Sequence, residues 1–495
     1  MSKKLSGIIA GLETRRITGD TERLVRCVVT DSRKAEADSL FVCIGGSRAD
    51  GHDFVDAAAD RGATSVLCAR PVKTRASVTQ VVVADVRKAL AHVSSRFYDD
   101  PSRRLRVVGV TGTNGKTTTV HLIRSIMEAS GSPAGMMGTL GHRIKDSVKR
   151  DSFTTPESPE VQAYMREMLN SGLESCVMEV SSHALALSRV DHVDFDLVVF
   201  TNLTRDHLDF HNTWEDYKAA KMLLFGIGDS GRFLGENRRA VVNACDATGR
   251  EIAARTRFPV STYALGGAAD FTGRILNLDE AGTDIDITGG GETVTLHTRL
   301  RGRMNAENAL AAFAAAKVLG IGTGGIRAGI ESLEGLRGRM EFIDGPGRQA
   351  VVDYAHTPDA LERLLKDVRQ ICTGRLICVF GCGGDRDPGK RPQMAALAGR
   401  LADMVIVTSD NPRTEDPLKI IDDIKRGLPA GIHCEVIPDR AQAINRAVAV
   451  SSEGDIIVVA GKGHEDYQIV GENRIHFDDR EVVGRAFGAI ADAKA

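Results

Sequence analysis

Short apolar runs recur along the chain at intervals a helix can bridge. RVVGV (106–110), CVMEV (176–180), DLVVF (196–200) and AVVNA (240–244) are rich in β-branched residues, and each gives way to a polar or glycine-rich turn. Continuous apolar runs of this kind, rather than alternating ones, mark parallel strands covered on both faces. Near LRGRMEF (336–342) the pattern restarts. AVVDY (350–354), LICVF (376–380), MVIVT (404–408), CEVIP (434–438) and DIIVVAG (455–461) alternate with helical stretches, as in a doubly wound unit. Upstream, LFVCIGG (40–46) predicts a strand and DFVDAAADRG (53–62) a helix stopped by Gly62. Leu5 to Leu12 predicts a first helix, and DDPSRRLR (99–106) reads as a polar linker.

At 495 residues the chain is too long for one core, and about 150 residues per domain suggests three. The pattern divides it into an α/β N-terminal domain (1–102), a central domain on a P-loop-type parallel sheet (103–338) and a Rossmann-like C-terminal domain (339–495). A net charge of -2 and 5% aromatic residues argue against a nucleic-acid partner or an anionic membrane surface. No apolar run approaches the roughly 20 residues that span a bilayer. Nine cysteines without paired spacing read as reduced thiols, so a cytoplasmic protein is expected. Gly320-Ile-Gly-Thr-Gly-Gly325 matches G-x-G-x-x-G but follows a helical stretch, not a strand. It reads as a helix stop and a turn rather than a dinucleotide site.

RVVGVTGTNGKTTTVHLIRSIMEASG (106–131) reads as strand, glycine loop and amphipathic helix. Backbone N–H groups of such a loop wrap a polyphosphate, and the helix N-terminus adds partial positive charge. Lys116 is placed to reach the β- and γ-phosphates and the Thr117 hydroxyl to ligate magnesium. Val110 stands where the standard motif has its first glycine, so Gly112 and Gly115 are the working glycines. The next two strand ends bring Glu179 with Ser181, Ser182 and His183, then Asn202, Arg205, Asp206, His207, Asp209 and His211. Ligands gather at the carboxyl ends of parallel strands, so Glu179 and His207 are expected near Thr117. In NTWEDYKAAKMLLF (212–225), Thr213 is an N-cap with Asp216 three residues on. Lys221 falls in the middle of the apolar face of Trp214, Tyr217, Leu224 and Phe225. Spacing alone favours an ammonium that snorkels to water. The other outcome is a buried neutral amine able to add carbon dioxide and offer a carbamate oxygen to magnesium.

These motifs stand in one order along nearly the whole chain. They include DSR (31–33), DGHDF (50–54), GTNGKTTT (112–119), TTP (154–156), EVSSHAL (179–185), TNLTRDHLDFH (201–211) and YKAAKMLLF (217–225). GRMNAENALAA (302–312), GRME (338–341), DYAHTPDAL (353–361), GCGGDRDPGKRP (381–392), DNPRTEDP (410–417) and GKGHE (461–465) follow. Together they resemble the Mur ligase family, specifically its diaminopimelate-adding type. The resemblance implies three domains that hold a UDP-sugar, ATP and the incoming amino acid in turn. It implies a carbamylated Lys221 (N6-carboxylysine), and Mg2+ held by Thr117, Glu179, His207 and Lys221. Lys116, Glu179, His207 and Lys221 become catalytic. Gly112, Thr113, Asn114, Gly115, Lys116, Thr117, Thr118, Asn305, Asn308, Arg339 and Asp353 would serve ATP. Ser32, Thr154, Thr155, Ser182 and Arg189 would contact the UDP-muramoyl dipeptide.

The implied reaction is ATP-dependent ligation of meso-2,6-diaminopimelate to UDP-N-acetylmuramoyl-L-alanyl-D-glutamate through an acyl phosphate. It belongs to peptidoglycan precursor synthesis in the cytoplasm and would be carried out by a monomer with small-molecule partners alone. Arg386, Asp410, Asn411, Pro412, Arg413, Gly461 and Glu465 follow strands of the last domain and can share one crevice. Arg413 can grip the distal carboxylate of diaminopimelate as a two-pronged fork, and Glu465 can take its ammonium. The alternatives are an L-lysine-adding ligase of the same family or a folylpolyglutamate synthetase. The N-terminal DSR and DGHDF segments argue against the second. A nucleotide-binding module without ligase chemistry would not need the set of Lys116, Glu179, His207 and Lys221.

Overall fold

A computed structural model describes residues 1–46, 49–151, 153–228 and 238–494. Three main sheets follow one another along the chain. The first has five strands in the order Thr14–Thr18, Thr79–Val83, Ala63–Cys68, Ser39–Val42 and Cys27–Val29. The last four run parallel, and only Thr14–Thr18 is antiparallel to its neighbour. The helix Val86–Phe97 closes over one face, started by Asp85, whose carboxylate accepts from the Arg87 and Lys88 N–H groups. The expected first helix is only one turn, Leu5–Ile8, and the strand of LFVCIGG stops at Val42. Leu5 and Ile8 are buried, so the turn exists to plug two side chains into the core rather than to run as an amphipathic helix.

The second sheet has eleven strands and is mixed, not parallel throughout. Its centre is parallel, in the order Ala134–Met137, Ser175–Glu179, Arg106–Thr111, Leu197–Phe200, Arg239–Asn243 and Val260–Leu265. Antiparallel strands extend both edges: His142–Ile144 and Ser147–Lys149 on one side, Gly282–Gly289 and Glu292–Thr298 beyond Phe271–Asp279 on the other. Arg106–Thr111 shows why the centre is parallel. Val108 and Val110 enter one core with Val120 and Ile123 of the helix Lys116–Ala129, while Val107 enters the core on the opposite face. Each fully buried valine is worth about 1.5–3 kcal/mol relative to exposure. A strand with both faces occupied leaves no side for alternating polar residues.

The third sheet orders Glu341–Gly345, Arg348–Asp353, Ile456–Ala460, Leu376–Phe380, Met404–Val407 and Cys434–Val436. All but the first hairpin are parallel. Gly320, with a φ of +80°, terminates the helix Arg303–Val318, and Thr323–Glu331 is the next helix. The glycine run there is the helix stop and turn that its sequence context indicates.

Candidate active site

The phosphate loop lies between the strand Arg106–Thr111 and the helix Lys116–Ala129 at the centre of the large sheet. Gly112 and Gly115 have φ of +151° and +85°. A Cβ on Gly112 would lie 1.9 Å from the Thr201 hydroxyl oxygen, and one on Gly115 2.3 Å from Asn308 Oδ1. Both glycines are therefore required by conformation and by close neighbours. Lys116 Nζ curls over the loop and donates to the carbonyls of Gly112 (2.9 Å) and Thr113 (2.8 Å). Asn114 Nδ2 donates across to Asp359 Oδ2 at 2.9 Å, in the first turn of the helix Pro358–Ile371.

Glu179, the last residue of its strand, is buried beside this loop. Its carboxylate accepts from the hydroxyls of Thr117 (3.1 Å) and Thr139 (3.2 Å) and from the Thr139 N–H (2.8 Å). Lys221 does not snorkel. It is 1% exposed, its Nζ donates to the Gly112 carbonyl at 2.8 Å, and it lies 4.8 Å from the Tyr217 ring centre. Leu224 and Phe225, predicted on the same apolar face, are fully buried as well. Two lysines thus converge on the Gly112 carbonyl. Unit charges about 5 Å apart repel by roughly 3 kcal/mol at an effective dielectric of 20. Burial, then Lys116, push Lys221 well below the ordinary lysine range. A neutral amine is the form this pocket favours. His207 has a φ of +54° and is pushed down to about 3 by burial, so its imidazole is neutral and available as a ligand.

Asn114, Gly115, Lys116, Thr117, Thr139, Glu179, His207 and Lys221 line one cavity of about 210 Å³, together with Thr113, Thr118, Asn305, Asn308, Arg339 and Asp353, whereas Gly112 lies behind its wall. Arg339 donates to the Thr117 hydroxyl at 3.2 Å, carrying a C-terminal side chain onto the phosphate loop. Asp353 accepts from the Met340 N–H at 2.6 Å and is raised by burial. Thr154 and Ser182 also line this cavity. Thr155 is fully buried and donates to the Glu179 carbonyl at 2.8 Å. Arg189 is ion-paired to Glu157 at 2.9 Å, and Phe153 lies 4.2 Å from its guanidinium. Both brace the site from within the protein. Ser32, in a turn capped by Asp31 in the N-terminal domain, does not line it.

A second cavity of about 190 Å³ is lined by Arg386, Asp410, Asn411, Arg413, Gly461 and Glu465. Pro412 is absent from its lining and instead packs its carbonyl against Gly384. The two cavities share Asp206, His207, Tyr354 and His356, so they adjoin. Arg413 is held by its backbone: its N–H donates to the Ile469 carbonyl at 3.1 Å, and its own carbonyl accepts from Gly471 at 2.7 Å. The guanidinium donates to the Gly384 carbonyl at 2.8 Å and makes no ion pair among the described residues. Glu465 accepts from Asn411 (2.8 Å) and from buried Lys462 (3.2 Å), and burial, with Asp410 nearby, raises it. Asp416 caps the following helix, Pro417–Lys425, by accepting from the Leu418 N–H.

Sequence reasoning gave no role to Thr139, His356 or Lys390. Thr139 follows another parallel strand end, the same signal that singled out Glu179. His356 and Lys390 sit inside quoted motifs, but only folding brings them to the wall of the second cavity.

Sequence profiles described as Mur ligase family, catalytic domain, Mur ligase middle domain, and Mur ligase, glutamate ligase domain match residues 24–98, 110–316 and 338–463. A relative from Clostridium acetobutylicum, named UDP-N-acetylmuramoyl-L-alanyl-D-glutamate–2,6-diaminopimelate ligase 1, is 40% identical over 97% of this chain and 98% of its own. One of the same name, without the numeral, from Bacillus cereus is 42% identical over 98% of both chains. A solved structure bearing that enzyme name matches with a TM-score of 0.68 and 33% identity, covering 99% of this chain and 100% of its own. With three successive profiles matched, near-complete coverage by relatives at 40% identity or more, and a phosphate loop adjoining a C-terminal crevice, the chain belongs to the Mur ligase family.

Proposed function

We propose that the protein joins meso-2,6-diaminopimelate to UDP-N-acetylmuramoyl-L-alanyl-D-glutamate with conversion of ATP to ADP and orthophosphate, in the cytoplasm. The relatives' shared name over the full length supports this reading. The observation that supports it is the wall shared by the two cavities, which suits an acyl group activated in one meeting an amino acid held in the other.

A carboxylate resists attack by an amine because its oxyanion is a poor leaving group. Phosphorylation of the D-glutamate γ-carboxylate gives an acyl phosphate. The amine adds to it, and the tetrahedral intermediate expels orthophosphate. Lys116 and the loop N–H groups hold the β- and γ-phosphates, and Arg339 adds positive charge where it builds up. Asn305, Asn308 and Asp353 hold the rest of the nucleotide; Thr154, Ser182 and, from the N-terminal domain, Ser32 orient the UDP-muramoyl dipeptide. The donor set of Thr117 hydroxyl, Glu179 carboxylate, His207 imidazole and a Lys221 carbamate oxygen suits magnesium, a hard cation. Bound there, Mg2+ screens the two anions that must meet. A carbamate on Lys221 also turns the repulsion at the Gly112 carbonyl into attraction toward Lys116. Arg413 takes the distal carboxylate of diaminopimelate and Glu465 its ammonium.

The test is orthophosphate release from Mg-ATP on adding UDP-muramoyl dipeptide with meso-diaminopimelate, L-lysine, or folate plus glutamate. Release with diaminopimelate at least tenfold above that with lysine is expected. Preference for lysine, or release driven by folate and glutamate, counts against the assignment.

A further inference from the structure

A third cavity, of about 940 Å³, opens beside the reaction site, and of the residues given a substrate role above only Thr154 and Glu465 line it, at its edge with the other two cavities. It shares Thr139, Thr154 and Tyr354 with the nucleotide cavity, so the two are continuous. One wall is the edge hairpin of the large sheet, with Arg143 and Val148. Another is the hairpin Tyr467–Val470 and Asn473–His476, with Arg474. Five arginines face three carboxylates across it.

The carboxylates are already engaged. Asp466 pairs with Arg150 (3.1 Å) and Arg337 (3.6 Å), Asp151 accepts from the Tyr164 hydroxyl (2.8 Å) and faces His142 (3.3 Å), and Glu465 is held by Asn411 and Lys462. Arg124 pairs with Glu128. Arg143 makes no ion pair among the described residues. Nor does Arg474, whose guanidinium stacks 3.8 Å from the Tyr467 ring centre. His121 and His464 in the wall register this excess of positive charge. Burial, then the neighbouring arginines, push both down to about 3, and Arg339 acts on each. Arg339 also donates to Thr117, so one guanidinium touches the phosphate loop in the nucleotide cavity while Arg143 and Arg474 line the cavity continuous with it.

On the ligase reading above, each turnover leaves an orthophosphate between ADP and the new amide. On that reading ADP occupies the first cavity and the amino-acid end of the product the second, which leaves most of the adjoining third cavity open. We propose that the arginine-lined cavity is the route by which orthophosphate leaves, passed from Arg339 toward Arg143 and Arg474 while the other products are still bound. Guanidinium groups bind phosphate oxygens as forks, and a series of half-exposed ones offers weak successive sites rather than one trap.

The experiment follows one turnover on the full chain with Mg-ATP, UDP-muramoyl dipeptide and diaminopimelate. Amide is measured by rapid chemical quench and free orthophosphate by a fluorescent phosphate-binding sensor. In the double variant Arg143→Gln, Arg474→Gln, amide is expected at the unmodified rate and amplitude, with free phosphate delayed at least fivefold. Val148→Trp, which narrows the cavity without touching charge, is expected to produce the same delay. Phosphate keeping pace with amide in both variants overturns the proposal, as does slowing of the amide step itself. Absence of amide from the unmodified protein would instead overturn the ligase reading.

Discussion

Lys221 and Arg413 are cations held for opposite reasons. Lys221 is enclosed beside another lysine, where charge is a burden. Lys221→Ala is expected to lower kcat by about 10²–10³, the usual size of loss for one preorganised electrostatic group. Added formate or acetate should restore part of that rate by lending the missing anionic oxygen; no recovery at any concentration would argue against a carbamate. Arg413 is presented to a cavity with two backbone hydrogen bonds fixing its position. Arg413→Ala is expected to raise KM for diaminopimelate by about 10- to 100-fold, the cost of a lost charge-assisted hydrogen bond, and KM for ATP by less than threefold. Equal effects on both would remove it from substrate selection. Its position after a strand was legible in the sequence. The burial of Lys221 was not, because it depends on Gly112, about a hundred residues away, whose carbonyl takes its hydrogen bond.

The phosphate loop is the element most readable from sequence, since strand, glycines and helix are contiguous. What could not be read is its second wall. Asn308, on the helix Arg303–Val318, packs against Gly115 so closely that no side chain fits. Gly115→Ala combines a left-handed backbone with this clash and is expected to cost about 1–3 kcal/mol of stability. Urea unfolding measures that loss, and isothermal titration with ATP should show a parallel loss of affinity. The antiparallel edges of the large sheet escaped notice for a related reason. Phe271–Asp279 and its partners carry no chemistry to draw attention, although Gly282–Gly289 and Glu292–Thr298 alternate apolar and polar residues about a Gly290-Gly291 turn, a hairpin pattern open to reading. The last sheet was legible strand by strand, because each strand is a short apolar run ending in a polar loop.

Across the whole molecule, burial has left several histidines neutral. His121 and His464 are pushed to about 3 and His192 to about 4, against 6.5 when unfolded. Unfolding therefore takes up protons between pH 6.5 and about 3–4. The stability they contribute is fully present above 6.5 and is lost as pH falls through that window, each group costing up to about 1.4 kcal/mol per pH unit. Melting temperature is expected to fall steadily from pH 7 to pH 5, and His192→Asn should flatten the slope. A melting temperature unchanged over that range would contradict the burial of these rings.

The amide of Asn114, donating to Asp359 at 2.9 Å, ties the phosphate loop to the first turn of the helix Pro358–Ile371 in the last domain. On the proposed reading, a triphosphate settling into the loop competes for that amide, so both domains feel its arrival. On that reading, nucleotide is expected to enter ahead of the amino acid. Asn114→Ala should blur that queue toward random entry in initial-rate kinetics.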